Sequence, residues 1–349
     1  MLAKLRWIWI PVAVTALALA AAGCGSSDDE TAPATTGGGS TTTAPKLKVG
    51  LITDVGQLND DGFNELAYNG LKKAERELGI QGRVVQSNSA ADYVPNMATL
   101  ARQGYDLIIG VGFVQGAAID KAAVRFPKTH FAIVDVDQTS LTHKPKNVVG
   151  LLFKEQEVGY LVGYLAALSA KREGSNAISA VGGYKEPPVD RYIAGYRAGA
   201  EKAVPGTKVT WGYSSDWDDQ AKCKELALNQ IAAGSKVVFQ VAGGCGLGAL
   251  NAAKERDVWG IGVDADQSFL GKHVLTSALK GVDAAVFETI KAVQDGSFPG
   301  GTNSVFGLDQ DGVGLGKVSP DANRADVRKL DRIEKELADG EITGIPTKL

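Results

Sequence analysis

Short apolar segments of strand length alternate with segments of helical periodicity along this chain, and the alternation occurs twice. The first round opens with a β-branched run at 47–53, a loop rich in Gly, Asn and Asp, and a helix that starts near Asp61. It ends with a strand at 148–153, and a second round of similar length starts with an apolar helix at 156–171. Such alternation predicts parallel sheets with helical crossovers, and two rounds predict two similar lobes with a cleft between them.

The N-terminal residues have the composition of an export signal. Lys4 and Arg6 precede an apolar run that ends in Gly23 and Cys24, a pattern similar to the lipidation signal of bacterial lipoproteins. We therefore predict a signal peptide at 1–23 and a lipidated Cys24, with an ordinary secretory signal or a membrane anchor as the alternative. Residues 24–45 would then form a flexible tether, because 25–45 contain no large apolar side chain. The folded part is expected at the cell membrane, facing the extracellular or periplasmic side.

Composition argues against nucleic acid as a partner and gives little support to catalysis. The 37 Lys and Arg residues are balanced by 40 Asp and Glu residues, without a basic patch. The three His residues have no metal-ligand spacing, and no nucleophile motif is present. The glycine-rich segment 243–248 lacks the Lys-Ser/Thr of a phosphate-binding loop and is better suited to close backbone approach to a ligand. We therefore expect no metal, no cofactor and no catalytic residue; hydrolysis by paired carboxylates is the weaker alternative.

Three aspartates end apolar strands and should converge on the cleft. Asp54, Asp135 and Asp264 each follow such a strand, and in parallel sheets ligands bind outside the carboxyl ends of the strands. Carboxylates accept hydrogen bonds from vicinal hydroxyls, which favours a sugar or a ribose-bearing ligand. Lys280 could add a donor there, or be an ordinary surface lysine. Phe63, in the first turn of a helix, is placed to stack on a flat ligand or simply to pack.

Two further polar features have structural alternatives. Asp60 or Asp61 could cap the first helix instead of serving the cleft. Cys223 and Cys245 are an even pair in a chain predicted to be exported, and we expect a disulfide that closes a loop of about 22 residues. Two buried free thiols are the alternative.

The motifs taken together resemble the basic membrane protein family of substrate-binding lipoproteins, over about residues 47–320. They are, in chain order, ITDVGQLNDDGFNELAYNG, DLIIGVGF, FAIVD, EVGYLVGYLAA, VFQVAGGCGLG, WGIGVDADQ and VLTSALKGVD. The resemblance implies an α/β fold of the type I periplasmic-binding-protein kind, with two Rossmann-like lobes joined by a three-stranded hinge. It divides the chain into a first lobe at 46–152 plus 268–300 and a second lobe at 153–267 plus 301–349.

The same resemblance implies the ligand-binding residues. In the first lobe they are Asp54, Asn59, the base-stacking Phe63 with Asn64, and the base-contacting Asp135. In the second half of the chain the ribose-binding group is Gly244, Asp264 and Lys280, and the second stacking ring is Phe239, with Trp217 as the competitor. This chain has Cys245 where the family commonly has Thr, and Gly281 where it commonly has Arg after the lysine.

The resemblance also implies a function. The chain would be the ligand-binding lipoprotein of an ABC importer, capturing a nucleoside, a purine nucleoside in the first place, and handing it to permease subunits. It would act as a monomer, without catalysis of its own. A receptor for a sugar or another small metabolite is the first alternative, and a surface lipoprotein that signals ligand occupancy without transport is the second.

Overall fold

In the computed structural model, which describes residues 46–56 and 58–349, the strands form two six-stranded sheets with the same spatial order. The first sheet has the order β2-β1-β3-β4-β5-β11, and all its strands are parallel. Its strands are β1 (Lys48–Val55), β2 (Gln81–Ser87), β3 (Leu107–Gly110), β4 (His130–Val134), β5 (Val148–Phe153) and β11 (Thr302–Phe306). The predicted signal peptide at 1–23, the lipidated Cys24 and the tether up to residue 45 lie outside the described residues.

The second sheet repeats this order as β7-β6-β8-β9-β10-β12, with β12 antiparallel to β10. Its strands are β6 (Ala177–Gly182), β7 (Lys208–Tyr213), β8 (Val237–Val241), β9 (Trp259–Asp264), β10 (Val274–Lys280) and β12 (Val313–Leu315). Central strands such as β3 and β8 are buried on both faces, as their continuous apolar runs predict.

Helices cover both sheets and complete two lobes. The first lobe contains α1 (Phe63–Glu77), α2 (Tyr93–Arg102), α3 (Gly116–Arg125) and α8 (Val282–Gln294). The second lobe contains α4 (Glu155–Arg172), α5 (Pro187–Ala203), α6 (Gln220–Ala232), α7 (Gly243–Glu255) and α9 (Arg324–Ala338). No helix of the described residues combines the length and the apolar character needed to cross a membrane.

Helices α4 and α5 pack with their backbones in contact. A Cβ atom at Gly163 of α4 would overlap the carbonyl oxygen of Tyr196, and one at Gly199 of α5 would overlap that of Tyr160. Only glycine at these positions allows the two helices to approach this closely. The position of α5, which also faces the cleft, is therefore set by this contact.

The chain passes between the lobes three times. The passages follow β5, β10 and β11. They lie close together, since the backbone N–H of Lys154 donates to the carbonyl of Phe306 at 2.9 Å and Glu155 Oε1 lies 3.0 Å from Lys280 Nζ. Two α/β lobes with mostly parallel sheets confirm the predicted architecture.

The predicted partition of the chain differs from the observed one near its end. It grouped 268–300 with the first lobe and 301–349 with the second, but β10 pairs with β9 in the second sheet and β11 pairs with β5 in the first. Within 268–300, α8 does pack on the first lobe, against α1. Sheet membership depends on which open edge a strand pairs with, and short apolar runs look alike in the sequence whichever edge they join.

Candidate functional site

A cavity lies between the lobes, at the carboxyl ends of both sheets. The first lobe contributes Asp54, Phe63, Asn64 and Asp135 to its lining; the second lobe contributes Trp217, Gly244, Asp264 and Lys280. The space between these residues that protein atoms do not fill is about 650 Å³, partly open to solvent. Its lining combines apolar and aromatic side chains with a few polar groups, which is the composition typical of small-molecule sites.

Two of the predicted ligand contacts lie elsewhere. Asn59 is exposed on the loop after β1, outside the cavity lining. Phe239, the first choice for the second stacking ring, is fully buried in the core, with its ring centroid 5.9 Å from that of Tyr192 and 5.2 Å from that of Tyr196. Its side chain lies on the face of β8 that α5 covers, so a ligand cannot reach it. The competitor Trp217 does line the cavity.

The loop after β1 is organised by two buried aspartates. Asp60 accepts hydrogen bonds from the backbone N–H groups of Gly62 and Asn64, both at 3.0 Å, so it caps the start of α1. Asp54 accepts from the hydroxyl of Tyr93 at 2.6 Å, and burial raises the pKa of Asp54 to about 6. Gly112 closes over this carboxylate with φ +110°, and a Cβ there would overlap Asp54 Oδ2. Asp60 thus has the capping role predicted as an alternative, and it also lines the cavity.

Asp135 and Asp264 occupy equivalent places in the two lobes, directly at the ends of β4 and β9. Both have left-handed backbones, with φ 70° and 61°. This conformation is uncommon outside glycine, and it persists where the surrounding structure enforces it, often at binding sites. Asp264 Oδ1 accepts a hydrogen bond from the hydroxyl of Tyr192 at 3.3 Å, and burial raises the pKa of Asp264 to about 7.

Lys280 joins the two lobes at the floor of the cavity. Its Nζ donates to both carboxylate oxygens of Asp135, at 2.7 and 2.8 Å, and lies 3.0 Å from Glu155 Oε1. It also lies 5.1 Å from the ring centroid of Phe63. Burial opposes its charge, but Asp135, Glu155 and Asp264 outweigh burial and raise the pKa of Lys280. The ammonium group therefore remains charged inside the protein.

The sequence analysis missed three polar side chains at the cleft. Glu186 and Tyr192 line the cavity from the start of α5, and Asp218 follows Trp217 on the loop after β7. Burial raises the pKa of Glu186 to about 7, and the charges of Asp54 and Asp135 act in the same direction. A signal for Glu186 is present: it precedes Pro187 and Pro188, which mark a helix start, and that start follows a strand of the second round.

A disulfide joins α6 and α7 behind the cleft. Cys223 and Cys245 are both fully buried, with Cα atoms 5.6 Å apart. The backbone N–H of Cys245 donates to the carbonyl of Trp217 at 2.8 Å. The start of α7, which the disulfide ties to α6, therefore fixes the loop that carries Trp217.

Comparisons with known proteins agree with this geometry. The family model of PnrA-like substrate-binding proteins of ABC transporters, Bmp, matches residues 46–345. The ABC transporter nucleoside-binding protein BmpA of Lactococcus lactis is 36% identical, over 99% of this chain and 100% of that protein. An uncharacterized lipoprotein of Pyrococcus abyssi is 34% identical, over 80% of this chain and 71% of that protein.

A solved structure extends the agreement to the fold. The solute-binding protein of an ABC transporter system from Aeropyrum pernix superposes with a TM-score of 0.78 at 28% identity, covering 86% of this chain and 94% of that one. The two lobes therefore have the periplasmic-binding-protein fold. The chain belongs to the Bmp family of PnrA-like substrate-binding proteins of ABC transporters.

Proposed function

We propose that this substrate-binding protein captures a nucleoside, a purine nucleoside in the first place, in the cleft between its lobes. The observation that carries the proposal is the combination, in one cavity, of an aromatic ring from each lobe with several carboxylates. A nucleoside has a flat base and a ribose with vicinal hydroxyls, and the two kinds of side chain suit these two parts. The Lactococcus lactis relative, named as nucleoside-binding, supports the same ligand class.

The base would be held between Phe63 and Trp217. Phe63 starts α1 in the first lobe and Trp217 lies on the loop after β7 in the second, so closing the lobes brings one ring to each face of a flat ligand. Base–aromatic stacking contributes about 1–3 kcal/mol per ring. Asp54, Asn64 and Asp135 would contact the edge of the base.

The ribose would be held by Asp264, Gly244 and Lys280. Asp264 uses one oxygen to accept from Tyr192, and its carboxylate has capacity left to accept from a ribose hydroxyl. Gly244 has no side chain and lies in the first turn of α7, so the ligand can approach the backbone closely. A buried carboxylate without its donor is costly, and ligands without these hydroxyls would be rejected.

Delivery would follow from the family role. A substrate-binding protein of an ABC transporter hands a small molecule to permease subunits, and we propose that this one does so as a monomer without catalysing a reaction. We also propose that residues 1–23 are a signal peptide and that a lipidated Cys24 and the tether hold the protein on the outer side of the membrane. The Pyrococcus abyssi relative, named as a lipoprotein, supports the anchor.

A thermal-shift screen of protein lacking residues 1–45 tests the ligand class. The panel contains adenosine, guanosine, inosine, cytidine and uridine, the free bases, ribose and other pentoses. A ligand at 100 times its Kd stabilises the folded state by about 2.7 kcal/mol, a shift of several degrees. We expect purine nucleosides to raise Tm and ribose or free bases to have little effect. A rise with pentoses alone would replace the nucleoside by a sugar, and no rise in ligand-free protein would reject both.

Variants of the two rings test the stacking. Phe63→Ala and Trp217→Ala should each weaken nucleoside binding about tenfold, the loss of one stack of roughly 1.4 kcal/mol. The measurement is Kd by isothermal titration calorimetry. Trp211→Ala is the matched control, since Trp211 is an exposed ring of the second lobe outside the cavity lining and should leave Kd unchanged. Normal binding by Trp217→Ala would mean that this ring only packs.

A further inference from the structure

Glu155 is a buried carboxylate that stands behind the cavity without lining it. It is the first residue of α4, directly after the chain's first passage between the lobes, and it is 0% exposed. Lys280 is the last residue of β10, directly before the second passage. Glu155 Oε1 lies 3.0 Å from Lys280 Nζ, so this contact connects two of the three passages.

Four charged groups form one chain of contacts through this point. Arg191 of α5 donates through Nε to Glu155 Oε2 at 2.6 Å and through Nη2 to Oε1 at 3.4 Å. On the other side, Lys280 donates to Asp135 of the first lobe. The chain runs from Arg191 in the second lobe to Asp135 in the first, and its last two members line the cavity.

The four charges form two pairs of opposite sign. Asp135 and Glu155 are paired with Lys280 and Arg191, and three of the four side chains are at most 5% exposed. Removing one member of a buried ion pair leaves an uncompensated charge, whereas removing both members of a pair does not. Removing Glu155 would therefore leave Arg191 without its partner, and it would also remove the second carboxylate that contacts the ammonium of Lys280.

We propose that Glu155 is a positioning residue for ligand binding: it holds the Lys280 ammonium, and through it the Asp135 carboxylate, in place at the floor of the cleft, and Arg191 neutralises it. The effect on affinity rests on the nucleoside binding proposed above. The placement of Lys280 does not rest on it and can be measured without a ligand.

A double-mutant cycle tests the affinity effect. The variants are Glu155→Gln, Arg191→Met and both together, and Kd for the tightest nucleoside is measured by calorimetry well below the Tm of each. Each single variant should weaken binding about tenfold or more, and the double variant should be no weaker than Glu155→Gln alone, because Arg191 acts through Glu155 and the carboxylate that holds Lys280 is already missing. Tm of every variant is recorded, so that a loss of affinity is separated from a loss of folding.

The matched control is Glu157→Gln. Glu157 lies in the same first turn of α4, and its carboxylate accepts from the backbone N–H of Leu308 at 2.9 Å, away from Lys280. Its substitution should leave Kd unchanged. If Glu155→Gln does not fold, Glu155→Asp is used. This variant keeps the negative charge, but its side chain is one methylene shorter, so the carboxylate lies farther from Lys280 and binding should also weaken.

A ligand-free measurement keeps this inference separate from the proposed function. In protein carrying ¹⁵N-labelled lysine, the Lys280 ammonium signal is assigned as the one lost in Lys280→Arg. We expect it to shift or broaden in Glu155→Gln and to stay unchanged in Glu157→Gln. If wild type binds no nucleoside, the proposed function fails and this signal alone decides the inference. An unchanged signal, unchanged affinity in Glu155→Gln, or additive losses in the double variant would overturn it.

Discussion

Three carboxyl groups of the cleft hold their protons more tightly than ordinary Asp or Glu residues do. Burial raises the pKa of Asp54 to about 6, and it raises those of Glu186 and Asp264 to about 7. In the unfolded chain the same groups ionise near pH 4. Ionising them inside the folded cleft is therefore unfavourable, and a ligand that donates hydrogen bonds to them would offset that cost.

The ligand-free protein should become less stable as the pH rises from about 4 to about 7. At these three carboxyl groups the folded state binds more protons in this window than the unfolded chain does, so their contribution to the free energy of unfolding decreases with pH. The stabilisation by these groups is complete below about pH 4, the pKa they have in the unfolded chain. It is lost as the pH rises through about 6 to 7, the pKa values they have in the folded protein. Urea unfolding of ligand-free protein at pH 5 and pH 7.5 measures the difference.

Glu186→Gln should flatten this pH dependence. The variant removes one of the three groups and relieves its repulsion by Asp54 and Asp135, while Lys280, the positive group that also faces Glu186, remains. Glu77→Gln, at an exposed position of α1, serves as the control and should keep the wild-type slope. Equal slopes in wild type and Glu186→Gln would show that Glu186 does not contribute.

At the residue scale, topology was predictable and side-chain direction was not. Asp54, Asp135 and Asp264 could be placed in the cleft because the carboxyl ends of parallel strands meet at one edge. Phe239 was misplaced because a strand buried on both faces shows no alternation to tell its faces apart. Glu186 was overlooked because the two prolines after it mark a helix start but do not tell whether that start faces the cleft or the solvent.

At the scale of elements, the contact between α4 and α5 controls part of the cleft. Their close approach at Gly163 and Gly199 places the start of α5, and with it Arg191 and Tyr192, beside Glu155 and Asp264. The segment EVGYLVGYLAA could be predicted as a helix from its composition. Its partner could not, because helix pairing depends on matching surfaces that are distant in sequence.

Gly163→Ala should destabilise the protein, opposite to the usual effect of this substitution in a helix. Alanine normally favours a helix over glycine by about 1 kcal/mol. Here its Cβ would overlap the backbone of α5, and overpacking of this kind costs about 1–3 kcal/mol. Urea unfolding gives the change, and calorimetry should show weaker nucleoside binding as α5 moves. Gly314→Ala is the control, since a Cβ at that position of β12 meets open space; a stabilised Gly163→Ala protein would refute the close contact.

At the scale of the molecule, a hydrogen bond joins the lobes beside the cleft. Gln267, on the loop after β9, donates to the carbonyl oxygen of Asp61 on the loop after β1, at 3.2 Å. Its own Oε1 accepts from Gln240 and from the backbone of Val263. Because Gln267 is buried and already held within the second lobe, the bond forms without further ordering of its side chain and favours the arrangement of the lobes seen in the structure.

Gln267→Glu should speed ligand release. The carboxylate can still accept the two hydrogen bonds within the second lobe, but it cannot donate to Asp61, and its charge faces that carbonyl oxygen. Losing a net hydrogen bond of about 1 kcal/mol should therefore raise koff by at least about fivefold. Stopped-flow dissociation measures the rate. Gln294→Glu is the matched control, because Gln294 donates to the carbonyl of Leu78 within the first lobe. Equal release rates for the two variants would show that the interlobe bond has no influence.

The two-lobed arrangement was predictable from the alternation of strands and helices, but the exchange of strands near the end was not. β10 and β11 are short runs of ordinary strand composition, and their sheets are chosen by hydrogen-bond pairing across long sequence separations. Nothing local in either run marks that choice.

The membership of β11 has a consequence for the making of the protein. Thr302 pairs beside Val149, so the outer edge of β5 keeps its backbone N–H and C=O groups unpaired until the ribosome has passed residue 306. The first half of the gene therefore encodes a first lobe without its last strand, β11, and without α8. A premature stop before residue 302 leaves an open, apolar sheet edge, and its product is a candidate for aggregation and degradation rather than a shorter binding protein.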